Sequence, residues 1–519
     1  MAKFIRYYSR ALYLGAAAAT SSSTLSLIVI GKDDETYYGI DEVRKFDGRN
    51  GKPTFVIFRG GVYDVSEFKK EHPGGHFIEQ AAGGDVEPFW RKWAYHYQSN
   101  KVEEILKKTR VGTLIECVDS SKVADYFKDN LNQLEIVYKD DPKRTKQHKI
   151  LMQKPFASET LPEALKENYL TPASALYVRN HAPVPNYLEF ASHEIVFSLE
   201  DKNPVETICT LSLQDILDKY PSYNVVSVLQ CAGNRASEYI KATQGASGFV
   251  GTPFEDIQIG MVGNVFWNGV SLQKVLEEIF PNECREERNS AEDRWHVLFQ
   301  GADEYETSTP LSYILDDKTG CLLSIKMNGE LLSSDHGYPV RCILPGIVGA
   351  RCVKWLQSIK LSKEPSKSPW NSHYYKRKDG SQIQQLPLNS IILSPVNGDT
   401  VKKQSDGEIY VTGIAYHGDS WKSIQRVEIS ADNGETWVNS NLLVTEAETN
   451  DSNVNFGWIR FEASINVPLS NSNSNFSKDS FITIMCRAVD TDGEVQPEMS
   501  KNGGGYLYNG WHTIKFIVV

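Results

Sequence analysis

The chain changes its residue pattern three times, and these changes constrain its fold more than any single motif does. After a first stretch without acidic residues, residues 37–116 combine short strands with helical segments. Residues 138–380 mix strands, helices and many glycines, and residues 385–519 alternate short strands with turns such as Asn433-Gly434. Since 519 residues exceed what one hydrophobic core supports, the pattern predicts a multidomain α+β protein that ends in a β-sandwich.

Residues 1–32 carry basic side chains but no acidic ones, and they are rich in Ser and Thr. This composition is typical of a mitochondrial targeting segment. Within it, the apolar residues 11–30 are about long enough to span a bilayer, although Gly15 and the Ser/Thr run at 20–24 lower their hydrophobicity. We predict a presequence that directs the protein to the mitochondrial intermembrane space. A membrane tether retained through residues 11–30 and a secretory signal are the alternatives.

Charge and missing motifs exclude several classes of protein. The net charge of −11 argues against nucleic acid as a partner and suits a cationic protein partner. No glycine-rich dinucleotide fingerprint and no P-loop occurs, so nicotinamide and flavin domains are not indicated. The eight cysteines are scattered without a C-x-x-C pair, which indicates neither a zinc site nor a disulfide framework.

Two histidines of the first block are suited to axial ligation of a haem iron. His72 begins the string His-Pro-Gly-Gly, in which Pro73 restricts it to an extended backbone and the glycines permit a tight turn. His96 follows the short helical stretch at residues 86–92. Two neutral imidazoles close both axial positions of a haem and favour electron transfer. The residues alone are equally compatible with one loop histidine and one packed core histidine.

Cys231 lies in the loop Leu-Gln-Cys-Ala-Gly-Asn-Arg, directly after the β-branched run at residues 225–228. A thiolate is a soft metal ligand, and nearby backbone amides and positive charge favour its formation. The Gly233-Asn234 turn and Arg235 are placed to supply both. The alternative is a buried structural cysteine at the end of a strand.

These strings together resemble the sulfite oxidase and eukaryotic nitrate reductase family. Residues 37–116 resemble a cytochrome b5 domain, and Glu87-Pro88-Phe89-Trp90 is typical of the haem domain of sulfite oxidases. The polar residues 117–137 are interpreted as a flexible linker. From residue 138 onward the resemblance rests on strings in a fixed order: Glu167–Pro172, Val178–Pro185, the Cys231 loop, Met327–Gly329, Asp335–Arg341 and Pro345–Arg351.

The resemblance implies two cofactors. A haem b would be bound by His72 and His96, and the molybdenum of a molybdopterin would take one sulfur from Cys231. Arg179 would face the substrate anion, and Tyr375 would assist the reaction. The implied pterin contacts are Tyr177, Val178, Arg179, Asn180, His181, Asp303, His336, Arg341, Cys352, Val353 and Lys354. Residues 138–380 would form a mixed α+β molybdopterin-binding oxidoreductase domain, and residues 385–519 an Ig-like dimerisation domain, so a homodimer is expected.

Substitutions near the implied substrate pocket set this chain apart from the family. Ala236 stands where the family has a second arginine in the cysteine loop, and Gly504 replaces an arginine upstream of a Trp-His pair. A tryptophan usual for the pocket is missing near residues 249–250. A pocket with fewer cations should bind sulfite more weakly, or bind another anion.

The resemblance implies a sulfite oxidase, in which electrons pass from molybdenum through the haem to cytochrome c. The order of the blocks, with the haem block first and no flavin domain, favours this function. A related molybdenum enzyme of nitrate reductase type, acting on nitrate or another oxyanion, is the first alternative. A catalytically idle electron-transfer or binding protein that retains the haem is the second.

Overall fold

A computed structural model of the chain describes most of the protein after residue 35. The described residues are 36–49, 51–70, 72, 78–79, 81–90, 96, 100–115, 138–144, 147–200, 205–244, 254–292, 294–372, 374–377, 379–404, 407–419, 422–443, 454–467, 481–500 and 505–519. The predicted presequence, the predicted linker, residues 249–250 and Gly504 lie outside them. No helix within the described ranges is long and apolar enough to cross a membrane.

Among its described residues, the first unit has a five-stranded sheet and three α-helices. In spatial order its strands are Tyr37–Tyr38, Arg110–Leu114, Gly61–Asp64, Phe55–Phe58 and Gly84–Asp85. The helices are Ile40–Val43, Glu87–Trp90 and Asn100–Thr109, and Phe68–Lys70 forms a 3-10 turn. Because successive side chains of a strand point to opposite faces, Val56 and Phe58 join one apolar cluster while Phe55 and Ile57 join another.

The central unit contains two larger sheets and a small one. The first sheet has the order Glu206–Ser212, Glu194–Leu199, Leu356–Ser362, His296–Gly301, Glu306–Pro310. The second has the order Glu330–Leu331, Leu322–Met327, Val262–Ser271, Ser222–Gln230, Val454–Phe456, and Arg341–Ile343 also pairs with Leu322–Met327. The small sheet consists of His148–Gln153, Phe156–Thr160 and Val178–Arg179.

Short helices connect these strands. The α-helices are Pro162–Glu167, Leu213–Lys219, Ala236–Ala242, Leu272–Ile279, Pro281–Arg288, Leu311–Leu315 and Pro369–Ser372, and the 3-10 helices are Phe190–Ser192, Ser334–His336 and Gly349–Arg351. Ser212 caps its helix by accepting a hydrogen bond from the Asp215 N–H at 3.0 Å. Ser271 does the same for the Lys274 N–H at 3.4 Å.

The C-terminal unit is a sandwich of two sheets, as the turn pattern predicts. One sheet has the order Asn389–Ser394, Ile409–Tyr416, Ile459–Ile465, Asn441–Leu443. The other has the order Thr400–Val401, His512–Val518, Phe481–Asp490, Ile424–Ser430, Val438–Asn439. Inward-facing residues of both sheets, such as Val411 and Ile484, form its core. The predicted multidomain α+β class is therefore confirmed.

The C-terminal unit also completes the central one. Its short strand Val454–Phe456 pairs in parallel with Ser222–Gln230, the strand that leads to Cys231. The Leu507 N–H donates to the Ala232 carbonyl at 2.7 Å. The loop that carries Cys231 is therefore held by residues from both units.

Candidate functional sites

Cys231 begins the loop after the strand Ser222–Gln230, and hydrogen bonds fix its position. Its N–H donates to the Met261 carbonyl at 3.0 Å, and the side-chain oxygen of Asn234 accepts from the Met261 N–H at 3.0 Å. The strand before the loop pairs along its whole length with Val262–Ser271. The ladder of backbone hydrogen bonds between these two strands thus ends directly before Cys231. Cys231 is partly buried and lines a pocket.

Positive charge reaches Cys231 from a residue other than the expected one. Burial raises the pKa of the Cys231 thiol, while the Gly233 N–H and the Arg179 guanidinium act in the opposite direction. The expectation that Arg235 supplies this charge is wrong. Arg235 is fully buried and donates to both carboxylate oxygens of Glu238, at 2.8 and 2.6 Å, and to Asn389 at 2.8 Å. Its role is to attach the loop to the sandwich.

One pocket brings the predicted molybdopterin-site residues together. The predicted residues that line it are Tyr177, Val178, Arg179, His181, Cys231, Asp303, His336, Arg341, Cys352, Val353, Lys354 and Tyr375. Asn180 is buried beside them and bonds to Lys354. These residues are spread over about 200 positions of sequence, and the strand pairs Ala157↔Arg179 and Ser158↔Val178 help to position two of them.

Asp335 organises one end of this pocket. It accepts two hydrogen bonds from Arg144, at 2.9 and 2.8 Å, and one from the Asn180 side chain at 2.9 Å. The Lys354 ammonium donates to the Asp335 carbonyl at 2.9 Å and also to Asn180. Burial acts to raise the pKa of Asp335, but the contacts with Arg144, Lys354 and Asn180 hold it below its ordinary value. Sequence reasoning missed Arg144, because nothing local marks a contact that spans 191 positions.

The same end of the pocket is suited to an anionic group. Burial lowers the pKa of Lys354 to about 7, and burial together with Arg341 and Lys354 lowers the pKa of His336 to about 3. Arg341 donates to the carbonyls of His336 and Cys352, at 3.1 and 3.0 Å. Its buried Nε has no hydrogen-bond partner among the described residues. A cation with a spare donor fits the phosphate and ring acceptors of a pterin cofactor.

The backbone at Gly349 packs closely against the end of the strand that leads to Cys231. A Cβ atom at this position would lie 2.9 Å from the Gln230 carbonyl oxygen and 3.0 Å from the Tyr177 hydroxyl. Only glycine therefore lets the backbone approach this closely. Burial also raises the pKa of the neighbouring Asp303 to about 6 despite the opposing charge of Lys354, so this carboxyl can carry a proton near neutral pH.

The other end of the pocket is lined by aromatic hydroxyls. The Tyr375 hydroxyl and His181 Nε2 lie 3.2 Å apart and share a hydrogen bond. Burial, with Arg179 and Lys354 nearby, lowers the pKa of His181 well below its ordinary value, so its ring is neutral. Tyr375 has a left-handed backbone with φ of 54°, and its carbonyl accepts from the Ile383 N–H at 2.8 Å and from Arg351 at 3.4 Å. These bonds hold a conformation that a tyrosine rarely adopts.

Tyr506 is a further residue at this end that sequence reasoning missed. Its ring centre lies 5.4 Å from that of Tyr375. Burial raises the pKa of Tyr506. The nearby Tyr375 and Cys231 raise it further, whereas Arg179 acts to lower it. Tyr506 comes from the C-terminal unit, next to the residue that bonds to Ala232. No motif marks it, because only domain packing brings it against Tyr375.

The two predicted haem ligands face each other in the first unit. The ring centres of His72 and His96 are 6.2 Å apart, and the ring planes differ by 17°. An iron held by one nitrogen of each ring at about 2 Å separates the ring centres by roughly 6 Å. Apolar residues border the pair, since Phe68 contacts His72 and Trp90 contacts His96. The geometry fits a haem with two axial imidazoles.

Comparisons with known proteins agree with this arrangement. Residues 40–115 match the cytochrome b5-like heme/steroid binding domain, residues 181–370 the oxidoreductase molybdopterin binding domain, and residues 380–519 the Mo-co oxidoreductase dimerisation domain. The mitochondrial sulfite oxidase of Macaca fascicularis is 34% identical over 89% of this chain and 81% of that protein. The chain belongs to the sulfite oxidase family.

Other relatives match the chain over different shares of its length. The sulfite oxidase of Gallus gallus is 32% identical over 90% of this chain and 97% of its own length. An NADH nitrate reductase of Ulva prolifera is 30% identical over only 66% of this chain and 40% of that protein. The sulfane dehydrogenase SoxCD of Paracoccus pantotrophus, at 22% identity and a TM-score of 0.52, covers 72% of this chain and 87% of its own and shares the fold.

Membership of the sulfite oxidase family confirms the predicted cofactors and enzyme class. The chain is a molybdenum-cofactor oxidoreductase with a cytochrome b5-like haem domain. The predicted boundaries between the domains and the roles of individual site residues stay predictions.

Proposed function

We propose that this protein oxidises sulfite to sulfate and passes the electrons through its haem to cytochrome c. The observation that carries the proposal is one pocket lined by Cys231, Arg179 and Tyr375. Relatives that resemble the chain over nearly its whole length are named sulfite oxidases. Bound molybdenum supplies the oxygen transfer and the two-electron redox chemistry.

The residues of this chain bind and orient the reactants. Cys231 would hold the molybdenum through its sulfur, and the Arg179 guanidinium opposes the rise that burial causes in the pKa of that thiol. The planar guanidinium of Arg179 can pair with two oxygens of the substrate anion. Its stacking on Phe254, at 4.5 Å from the ring centre, limits the orientations it can adopt. The Tyr375 hydroxyl, oriented by His181, would donate a hydrogen bond to the substrate.

The pterin would be held by Arg341, Lys354, His336 and Asp303. Arg341 supplies charge and a spare donor, and Lys354 is fixed by Asn180 and Asp335. In the first unit, His72 and His96 would hold the haem iron from both sides. A haem closed on both faces accepts single electrons and does not bind oxygen.

The relatives and the net charge support the proposed electron acceptor and location. Relatives are named mitochondrial sulfite oxidases, and we propose the intermembrane space as the location of this protein. The net charge of −11 favours association with a cationic acceptor such as cytochrome c. The match to a dimerisation domain supports a homodimer formed through the sandwich.

The test compares two reactions of the purified protein loaded with haem and molybdenum. We expect reduction of ferricytochrome c by sulfite, and no nitrate-dependent oxidation of a reduced dye. Cys231→Ala should abolish sulfite oxidation and lower the molybdenum content. Cys209→Ala is the matched control, since Cys209 is also a partly buried thiol but lies on the strand Glu206–Ser212.

Two results would contradict the proposal. Turnover of nitrate without turnover of sulfite would establish the nitrate reductase alternative. Metal analysis that finds iron but no molybdenum would instead establish an electron-transfer protein.

A further inference from the structure

Arg144 does not line the pocket, but it contacts Asp335, which does. Its Nε donates to Asp335 Oδ2 at 2.9 Å, and its Nη2 donates to Asp335 Oδ1 at 2.8 Å. Such a paired contact between a guanidinium and a carboxylate fixes both distance and orientation. The Arg144 side chain is 14% exposed and lies over the Phe156 ring, 4.1 Å from its centre. Arg144 thus holds the Asp335 carboxylate in one orientation.

The Asp335 carboxylate is a competing partner for Lys354. The Lys354 ammonium donates to the Asp335 carbonyl at 2.9 Å, and the negative charge of Asp335 acts on it. The carboxylate itself is paired with Arg144 and accepts from the Asn180 side chain at 2.9 Å. Because a buried charge without a partner is costly, this carboxylate would pair with Lys354 if Arg144 were removed. Arg144 therefore leaves the charge of Lys354 available to the pocket.

The segment that carries Arg144 is attached to the same part of the central unit. It comprises residues 138–144, which follow the predicted linker in sequence and which we call the clamp. The Asp141 carboxylate accepts from the Val184 N–H at 3.0 Å and from Arg144 at 2.9 Å. With the bonds from Arg144 to Asp335, the clamp is attached to two chain segments that carry predicted pterin contacts.

We propose that Arg144 is a positioning residue for the pterin, and that docking of the clamp and binding of the pterin strengthen each other. By holding Asp335, Arg144 keeps Lys354 directed toward the cofactor. Binding that depends on a docked segment must in turn stabilise the docked state, because such a coupling is reciprocal. This inference rests on the proposed contact of Lys354 with the pterin.

The coupling affects the connection between the two cofactor-binding units. The predicted linker, residues 117–137, joins the haem unit to the clamp. A docked clamp ends this connection at residue 138, whereas an undocked clamp adds residues 138–144 to it. Protein without the pterin would therefore have a longer tether for its haem unit than the loaded protein.

Release of the pterin from purified holoenzyme tests the role of Arg144. The released pterin is oxidised and measured by its fluorescence. Arg144→Gln should release it roughly tenfold faster than wild type, because Lys354 turns to the uncompensated Asp335 carboxylate. Arg144→Lys should release it at an intermediate rate, because an ammonium keeps the charge but loses the paired geometry.

Arg487→Gln is the matched control. Arg487 also donates to a carboxylate, that of Glu428 at 2.6 Å, and lies over an aromatic ring, that of Trp437, at 3.9 Å from its centre. It belongs to the strand Phe481–Asp490 of the sandwich, so its variant should retain the pterin like wild type.

A second substitution distinguishes the role of charge from a loss of packing. Adding Asp335→Asn to Arg144→Gln should slow the release of the pterin again, because the carboxylate that captures Lys354 is removed. A loss of packing alone would not be reversed in this way. A double variant that releases the pterin as fast as Arg144→Gln would therefore contradict the proposed role of Arg144.

Trypsin cleavage tests the reciprocal effect in wild-type protein. Lys139 and Lys143 are exposed and lie in the clamp, so cleavage after them reports its undocking. Protein purified without the pterin should be cut there roughly tenfold faster than holoenzyme, with the fragments identified by mass. Cleavage after Lys402, an exposed lysine of the sandwich, should not differ. This comparison needs no variant, so it remains decisive if Arg144→Gln does not fold.

Equal release of the pterin by Arg144→Gln and wild type would overturn the inference, and so would equal release by Arg144→Gln and Arg487→Gln. Equal cleavage of the clamp with and without the pterin would refute the coupling. Lys354→Gln separates the inference from the contact on which it rests. Faster release from Lys354→Gln but not from Arg144→Gln would refute the role of Arg144 alone. Unchanged release from Lys354→Gln would refute the proposed contact itself.

Discussion

Replacing Arg235 by methionine removes the contact that attaches the cysteine loop to the C-terminal sandwich. Arg235 is 0% exposed and begins the helix Ala236–Ala242 with φ of 65°. It bonds to Glu238 through two nitrogens and to Asn389, which lies on the first strand of the sandwich. Methionine has a similar length and can fill the space, so the change removes charge and hydrogen bonds more than it removes volume.

The expected cost follows from the groups left behind. Removing one partner of a buried ion pair costs about 3–5 kcal/mol. The Glu238 side chain is 24% exposed, so we take the lower end of that range. Asn389 loses one donor but keeps Gln496 at 3.5 Å, which adds about 1 kcal/mol. The free energy of unfolding of this part of the protein should fall by about 4 kcal/mol.

Two comparisons identify the uncompensated carboxylate as the cause. Adding Glu238→Gln to the methionine variant should restore about 2 kcal/mol, because the buried charge disappears. In wild-type protein burial acts to raise the pKa of Glu238, but Arg235 and His512 hold it below 4.5. A group with a depressed pKa stabilises the fold above its unfolded pKa, and this stability is lost as the pH falls. The difference between wild type and Arg235→Met should therefore be largest at neutral pH and shrink below about pH 4.5.

Scanning calorimetry can measure this effect, with haem absorbance as an internal control. A multidomain chain does not unfold in one step, so the comparison uses the midpoint of each transition. The transition of the central and C-terminal units should fall by roughly 5–10 °C, while the loss of the haem absorbance band should not move. An Arg235→Met variant as stable as wild type would refute the reasoning. A double variant no more stable than the single one would show that the carboxylate is not the cause.

Three further predictions follow from single side chains. Tyr375→Phe should lower kcat/KM for sulfite roughly tenfold or more without changing the molybdenum content, because the hydroxyl oriented by His181 is lost; an unchanged kcat/KM would exclude a role for it. His96→Ala should alter the haem spectrum and abolish reduction of cytochrome c, whereas a small oxidant that takes electrons directly from molybdenum should still support sulfite oxidation. Burial lowers the pKa of His512 to about 4, although Glu238 partly opposes this effect. The His512 Nδ1 accepts a hydrogen bond from the Ile392 N–H at 3.0 Å, so the folded state requires the neutral ring. Stability should therefore be complete above about pH 6.5 and fall by about 3 kcal/mol as the pH drops to about 4, and His512→Asn should flatten this dependence in denaturant titrations at several pH values.

The resemblance supported by local strings located most of the candidate site. The residues from Tyr177 to His181, together with His336, Arg341 and Lys354, occur in strings whose order identifies the family, and the structure brings them to one pocket. Strand patterns identified the sandwich, because alternation and turns are local properties. The histidine pair His72 and His96 also came from the resemblance, because the residues alone fit a loop histidine and a packed core histidine equally well.

Long-range contacts decided what the sequence could not. Arg235 adjoins the cysteine loop in sequence, yet it forms a salt bridge with Glu238. The charge that favours the Cys231 thiolate comes from Arg179 instead. Arg144 reaches Asp335 across 191 positions, and Tyr506 reaches Tyr375 from another domain. A sequence specifies which donors and charges are present, but the direction of each side chain depends on which partner the packed backbone offers it. The sequence by itself thus determined the family, the cofactors and the order of domains, whereas only the tertiary structure decided which charges lie beside Cys231.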